Sequence, residues 1–134
     1  MSQNLVDPST PIPRPEWVQG LNEEGRYWAK MGMLADMTPL DEKSLLESAQ
    51  KITGLSDFGG EEWREPFAVL LKAIDEEAQL NLTGRLATRS EILIWLSTRL
   101  KLTELLRQHP EILEIPIEKP IFIAGLGRSG TSIL

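Results

Sequence analysis

Apolar positions repeat with helical spacing over most of this chain, and then bunch into a short run near residue 121 that does not alternate. Before the pattern begins, prolines at 8, 11, 13 and 15 fix their own φ and push their neighbours out of helix, so residues 1–15 read as an extended or disordered lead-in. Glu16 to Ala35 predicts a first helix, with Trp17, Leu21, Trp28 and Met31 on one face. Gly20, Gly25 and Gly32 weaken it by about 1 kcal/mol each relative to alanine. Met37 to Gly54 predicts a second, with Thr38 as N-cap, Pro39 at the first helical position, and Asp41 and Glu42 at the positive end of the dipole. Leu45, Ala49 and Ile52 form its inner stripe, and Gly54 stops it. After a loop over Leu55 to Gly60, a third stripe runs through Trp63, Phe67, Leu70, Leu71, Ile74 and Ala78, with Pro66 in or near the first turn.

Thr83 to Gln108 predicts the longest helix. Leu86, Leu93, Leu96 and Leu100 make one stripe, and Ile92, Trp95, Leu102 and Leu106 make another, which implies burial from two directions. His109-Pro110 ends it, and the lone histidine there caps carbonyls or faces water. Tryptophans 17, 28, 63 and 95 sit at helical spacings among other apolar residues and are expected in the core. Glu111 to Pro120 is a proline-punctuated loop. Ile121 to Ala124 then has the pattern of a strand buried on both faces, as in a parallel sheet. Residues 16–118 are thus a helical region, and 119–134 a first strand, a glycine loop and the start of a helix.

Charge is uneven along the helices. Acids at 57, 61, 62, 65, 75, 76 and 77 face only Arg64 and Lys72, whereas Arg85, Arg89, Arg99, Lys101 and Arg107 face only Glu91 and Glu104. Two neighbouring antiparallel helices with solvated faces account for this contrast. In a sharper alternative, Arg85, Arg89 or Arg99 faces an anion.

Composition narrows the chemistry. The net charge of −6 argues against a nucleic-acid partner. Without cysteine there is no disulfide, thiol nucleophile or cysteine zinc site, and His109 alone cannot build a multi-histidine metal centre. No metal is therefore expected. No apolar stretch approaches the roughly 20 residues of a membrane span, and no secretory signal is visible, so the expected location is cytoplasmic.

The chemistry that can be read lies in Ile121 to Leu134, where an apolar run leads into Gly125-Leu-Gly-Arg-Ser-Gly-Thr-Ser. Strand, glycine turn and helix N-terminus together make a phosphate cradle. Gly125, Gly127 and Gly130 match a dinucleotide-binding pattern, but that fold usually opens with this unit, and here a long helical region precedes it. The triphosphate P-loop also has the Gly125 to Gly130 spacing, but it needs a lysine where this chain has Thr131. A third grammar keeps the loop and moves the cation to Arg128.

In that third form the segment resembles the 5′-phosphosulfate loop of bacterial-type sulfotransferases that use 3′-phosphoadenosine 5′-phosphosulfate (PAPS). Thr53-Gly-Leu-Ser-Asp-Phe-Gly, the stretch from Glu77-Ala to Thr83-Gly-Arg, and the helix ending at His109-Pro110 are also similar to the helical lead-in of these enzymes. The family usually has proline at the position of Gly127 and often threonine at those of Ser129 and Ser132; the serines keep the hydroxyls.

The resemblance implies an intact α/β protein with a parallel sheet, of which this chain is the mostly α-helical N-terminal part plus the first strand and loop, inactive alone. It implies sulfonate transfer from PAPS, without a metal, to the hydroxyl or amine of a small-molecule or glycan acceptor. Gly127, Arg128, Ser129, Gly130, Thr131 and Ser132 would bind the donor, and Arg128 would be catalytic, near the leaving oxygen. The acceptor's general base and the 3′-phosphate clamp would lie downstream. The competing expectations are a helical interaction module with an incidental glycine loop, and a dinucleotide-binding oxidoreductase fragment.

Overall fold

The computed structural model describes residues 13–125. They are mostly helical, in the order α1 (Glu16–Lys30), α2 (Leu34–Met37), α3 (Glu42–Thr53), α4 (Arg64–Glu76) and α5 (Leu82–Gln108), followed by a 3₁₀ turn over Pro110–Glu114. The chain divides into two units after Glu104.

Each boundary has a local cause. Gly32 at φ 71° ends α1, where Met33 N–H donates to the Trp28 carbonyl at 2.9 Å and Gly32 N–H to that of Ala29 at 3.1 Å. This is a Schellman closure, so Gly32 terminates the first helix five residues before its expected end at Ala35. Gly54, also at φ 71°, closes α3 as expected. Pro66 lies in the first turn of α4, where its missing N–H has no partner to lose. The N-cap of α3 is Asp41, whose Oδ1 accepts from Ser44 N–H at 2.9 Å. Thr38, the expected cap, instead ends α2 and donates its hydroxyl to the Leu34 carbonyl at 2.8 Å.

The core of the first unit comprises Leu45 and Ala49 of α3, Phe58, Leu71 of α4, and Ile92, Leu96 and Leu100 of α5. Leu46, Leu55, Trp63, Phe67, Ile74 and Leu93 pack around it. The ion pair of Arg85 with Asp75 at one end and the stacking of Arg99 on Trp63 at the other fix α4 and α5 as antiparallel. Phe58, Trp63 and Phe67 form a tilted aromatic chain with centroids 5.6 Å apart at each step.

Three expectations about faces are corrected: in α3, Ile52 is 63% exposed, and of its expected inner stripe Leu45 and Ala49 are buried. α1 does not bury its tryptophan stripe, since Trp17 is 65% exposed; its buried residues are Asn22 and Gly25. A methyl group on Gly25 would collide with the Leu82 side chain, and Asn22 Oδ1 accepts from Thr83 N–H at 3.2 Å. Close backbone approach and a polar cap thus win over the larger apolar face. α5 is buried on one side only: Ile92, Leu96 and Leu100 are in the core, whereas Leu86, Trp95 and Leu102 are exposed.

The described part of the second unit contains the end of α5, the 3₁₀ turn and a segment without regular secondary structure. No described residue is in a β-strand, so the strand expected at Ile121 to Ala124 does not form a ladder here. Ile121 and Phe122 are 89% and 86% exposed. A strand needs a neighbour for its backbone groups, and a run with no alternating face cannot be covered from one side alone.

Candidate functional site

Of the expected site, the described residues include the approach, Ile121 to Gly125. Gly127, Arg128, Ser129, Gly130, Thr131 and Ser132 lie outside them. The approach lies outside any helix or strand, follows Pro120 and a Lys119 at φ 49°, and carries three exposed apolar side chains, Ile121, Phe122 and Ile123.

The other candidate anion ligands are the arginines of α5, and the structure places all three. Arg85 is buried at 7% exposure; its Nε and Nη2 donate to the Thr38 carbonyl at 3.3 and 3.1 Å, and Nε also donates to the Thr38 hydroxyl at 3.1 Å. Its Nη1 meets Asp75 Oδ1 at 3.1 Å. One turn later, Arg89 donates to the Pro39 carbonyl and, at 2.8 Å, to Ser48 Oγ. Arg99 donates to the carbonyls of Phe58 at 2.6 Å and Gly60 at 3.2 Å, and stacks on Trp63 at 5.0 Å.

These guanidiniums therefore stitch two loops, 38–40 and 58–60, to α5. Forked donors suit the work, because one side chain satisfies several carbonyls that no helix or sheet pairs. Arg85 with Asp75 and Arg99 with Glu62 also account for the charge contrast, since the basic helix lies against the acidic one. Arg64 also lies over the Trp63 ring, 5.1 Å from its centroid. Its pKa is raised, first by its hydrogen bond to Glu61 and then by the charge of that carboxylate and by Glu42.

A cleft of about 490 Å³ opens beside this network, with Leu40, Leu71 and Pro39 along it and Asp41, Asp75 and Arg85 among its polar groups. Asp41 and Arg85 already have structural partners there. Among the described residues no group of three or more histidine, cysteine or acidic side chains could hold a metal. His109 Nδ1 meets Glu111 Oε1 at 3.0 Å across the helix end, an exposed local pair. The described residues thus supply a helical frame, and the one phosphate-cradle pattern of the chain begins where they end.

The capping role of Asp41, the contact made by Asn22 and the loop-binding roles of Arg85, Arg89 and Arg99 were not anticipated. Asp41 had a local signal, an acid three residues before Ser44. The others act across 39 to 61 residues of sequence and left none.

No protein-family model, no curated protein and no solved structure matches the chain. Among the described residues no helix is long and apolar enough to cross a membrane.

Proposed function

We propose that this chain is the helical N-terminal part of a PAPS-dependent sulfotransferase, with the donor's 5′-phosphosulfate held by Gly127 to Ser132. The observation that carries the proposal is the order of residue types in Ile121-Phe-Ile-Ala-Gly-Leu-Gly-Arg-Ser-Gly-Thr-Ser. An apolar lead feeds a glycine turn, a fixed cation, and then amides and hydroxyls at a helix start. The exposure of Ile121, Phe122 and Ile123 supports it, because an apolar run of this kind is suited to the interior of a sheet.

In the proposed reaction the bond between sulfur and the phosphate's bridging oxygen breaks, and a bond forms from the acceptor oxygen or nitrogen to sulfur. The acceptor's proton passes to a base contributed by other sequence. The electron pair of the broken bond stays on the bridging oxygen, which becomes part of 3′-phosphoadenosine 5′-phosphate. Arg128 neutralises that developing charge, and the amides of Ser129 to Ser132 bind the phosphate. Arginine suits the first task because it stays charged and presents paired donors.

The test uses the longest polypeptide encoded by the reading frame. Calorimetric titration with 3′-phosphoadenosine 5′-phosphate is expected to show saturable binding, weakened roughly tenfold or more by Arg128→Ala. Absence of binding, or tighter binding of NAD, overturns the proposal. A helical interaction module is the second reading, favoured by the core that α3, α4 and α5 form together with Phe58.

A further inference from the structure

The outward face of α5 carries a stripe with internal symmetry. Ala87, Glu91, Ile94, Thr98, Lys101 and Leu105 follow one another at steps of 4, 3, 4, 3 and 4 residues, and all six are exposed. That is the spacing of the a and d positions of a helix that packs along another helix. In an antiparallel helix pair each a residue meets a d residue of the partner. Centred on the level of Leu96, the stripe then matches itself: Ala87 meets Leu105, Glu91 meets Lys101, and Ile94 meets Thr98. Each layer sets small against large, acid against base, or apolar against a β-branched side chain. Neither Glu91 nor Lys101 has an ion-pair partner among the described residues.

The surroundings fit the same use. Ile94, Trp95 and Leu102 are 60%, 54% and 52% exposed, and a groove of about 320 Å³ beside the stripe is lined by Leu70, Ile74, Ala87, Glu91 and Trp95. From Ala87 to Leu105 the seam is about 27 Å long at 1.5 Å per residue. With Trp95, Leu102 and Leu70 alongside, it would bury on the order of 600–800 Å² per copy, the scale of a specific interface.

We infer that α5 is the seam of a two-fold homodimer, in which a second copy of this chain packs antiparallel along Ala87 to Leu105. Reciprocal Glu91–Lys101 pairs set the register and orientation. A single polar layer in such a seam specifies alignment because every slipped or parallel arrangement leaves those charges opposite apolar or like-charged groups. The occupant is a copy of the chain rather than another protein because the complement of each position is already present on the same stripe.

Analytical ultracentrifugation of the whole chain tests this, with oligomeric state as the readout. A dimer in the micromolar range is expected. Glu91→Lys places like charges opposite each other twice and is expected to weaken dimerisation roughly tenfold or more. The swap Glu91→Lys with Lys101→Glu is expected to restore it. Both positions are exposed, so far-UV helicity checks that the variants fold. A monomer up to about 100 μM overturns the inference, as does a dimer or larger species indifferent to Glu91→Lys or not rescued by the swap. The outcome is independent of donor binding, so it stands or falls apart from the sulfotransferase proposal.

Discussion

Several side chains in this protein hold backbone rather than fill space. Arg85 is the clearest case: its buried guanidinium serves the Thr38 carbonyl and hydroxyl at once, while Asp75 faces it from the solvent side at 61% exposure. Arg85→Ala is expected to cost about 2–3 kcal/mol in urea unfolding, chiefly by stranding the Thr38 groups, since the exposed partner contributes little. Asp75→Ala should then cost less than about 1 kcal/mol, and equal losses would refute this division of roles. The opposite case is Thr83, whose hydroxyl is buried in the first turn of α5 without a hydrogen-bond partner among the described residues. Thr83→Val keeps the shape and removes the unpaired group. It is expected to stabilise the fold by up to about 1 kcal/mol, read as a rise in urea midpoint at constant slope.

Helix ends divide into those written locally and those written at a distance. Gly54 stops α3 because only a left-handed residue closes that turn, so Gly54→Ala should cost about 1–2 kcal/mol by thermal or urea unfolding. Such ends, with Pro66 and Pro110, were legible in the sequence because the signal and its consequence sit on the same few residues. The stripe of α4 was legible in part: Trp63, Phe67, Leu71 and Ile74 turn to the core, whereas Leu70 is exposed and Ala78 falls beyond the helix end. Thr38 and the tryptophan face of α1 misled. Thr38 has the chemistry of a cap, but Arg85, 47 residues away, takes its carbonyl and hydroxyl from the other side. In α1, the small Gly25 lets backbone approach Leu82, and that contact decides which face turns inward. The strand at Ile121 is a third kind of case. Its composition is informative, but a strand is a property of a pair, and no single segment contains its partner. The cradle proposed for Gly125 to Ser132 is legible only as a sequence pattern, because chemistry of that kind rests on backbone and near neighbours, whereas a pocket assembled from distant residues has no local spelling.

At the scale of the whole molecule, two features act together: a net charge of −6 with a pI near 4.8, and the bare apolar segment of Ile121, Phe122 and Ile123. Near neutral pH, mutual repulsion between copies opposes contact through that segment; as pH falls toward the pI, the repulsion fades and the apolar contact is left unopposed. Turbidity of the whole chain is therefore expected to rise steeply between about pH 6 and 5, and salt at neutral pH should move it the same way by screening. The variant carrying Ile121→Ser and Ile123→Ser has the same charge at every pH, so it isolates the apolar term. It is expected to remain clear well below the pH at which the parent clouds. If the two curves coincide, charge neutralisation alone drives association and the exposed run is not the adhesive surface. Glu91→Lys separates this from the α5 seam, since it alters a defined dimer without touching residues 121–123. An effect confined to the sedimentation of the dimer, with the turbidity threshold moved only as far as the changed pI requires, would mark two distinct surfaces on one chain.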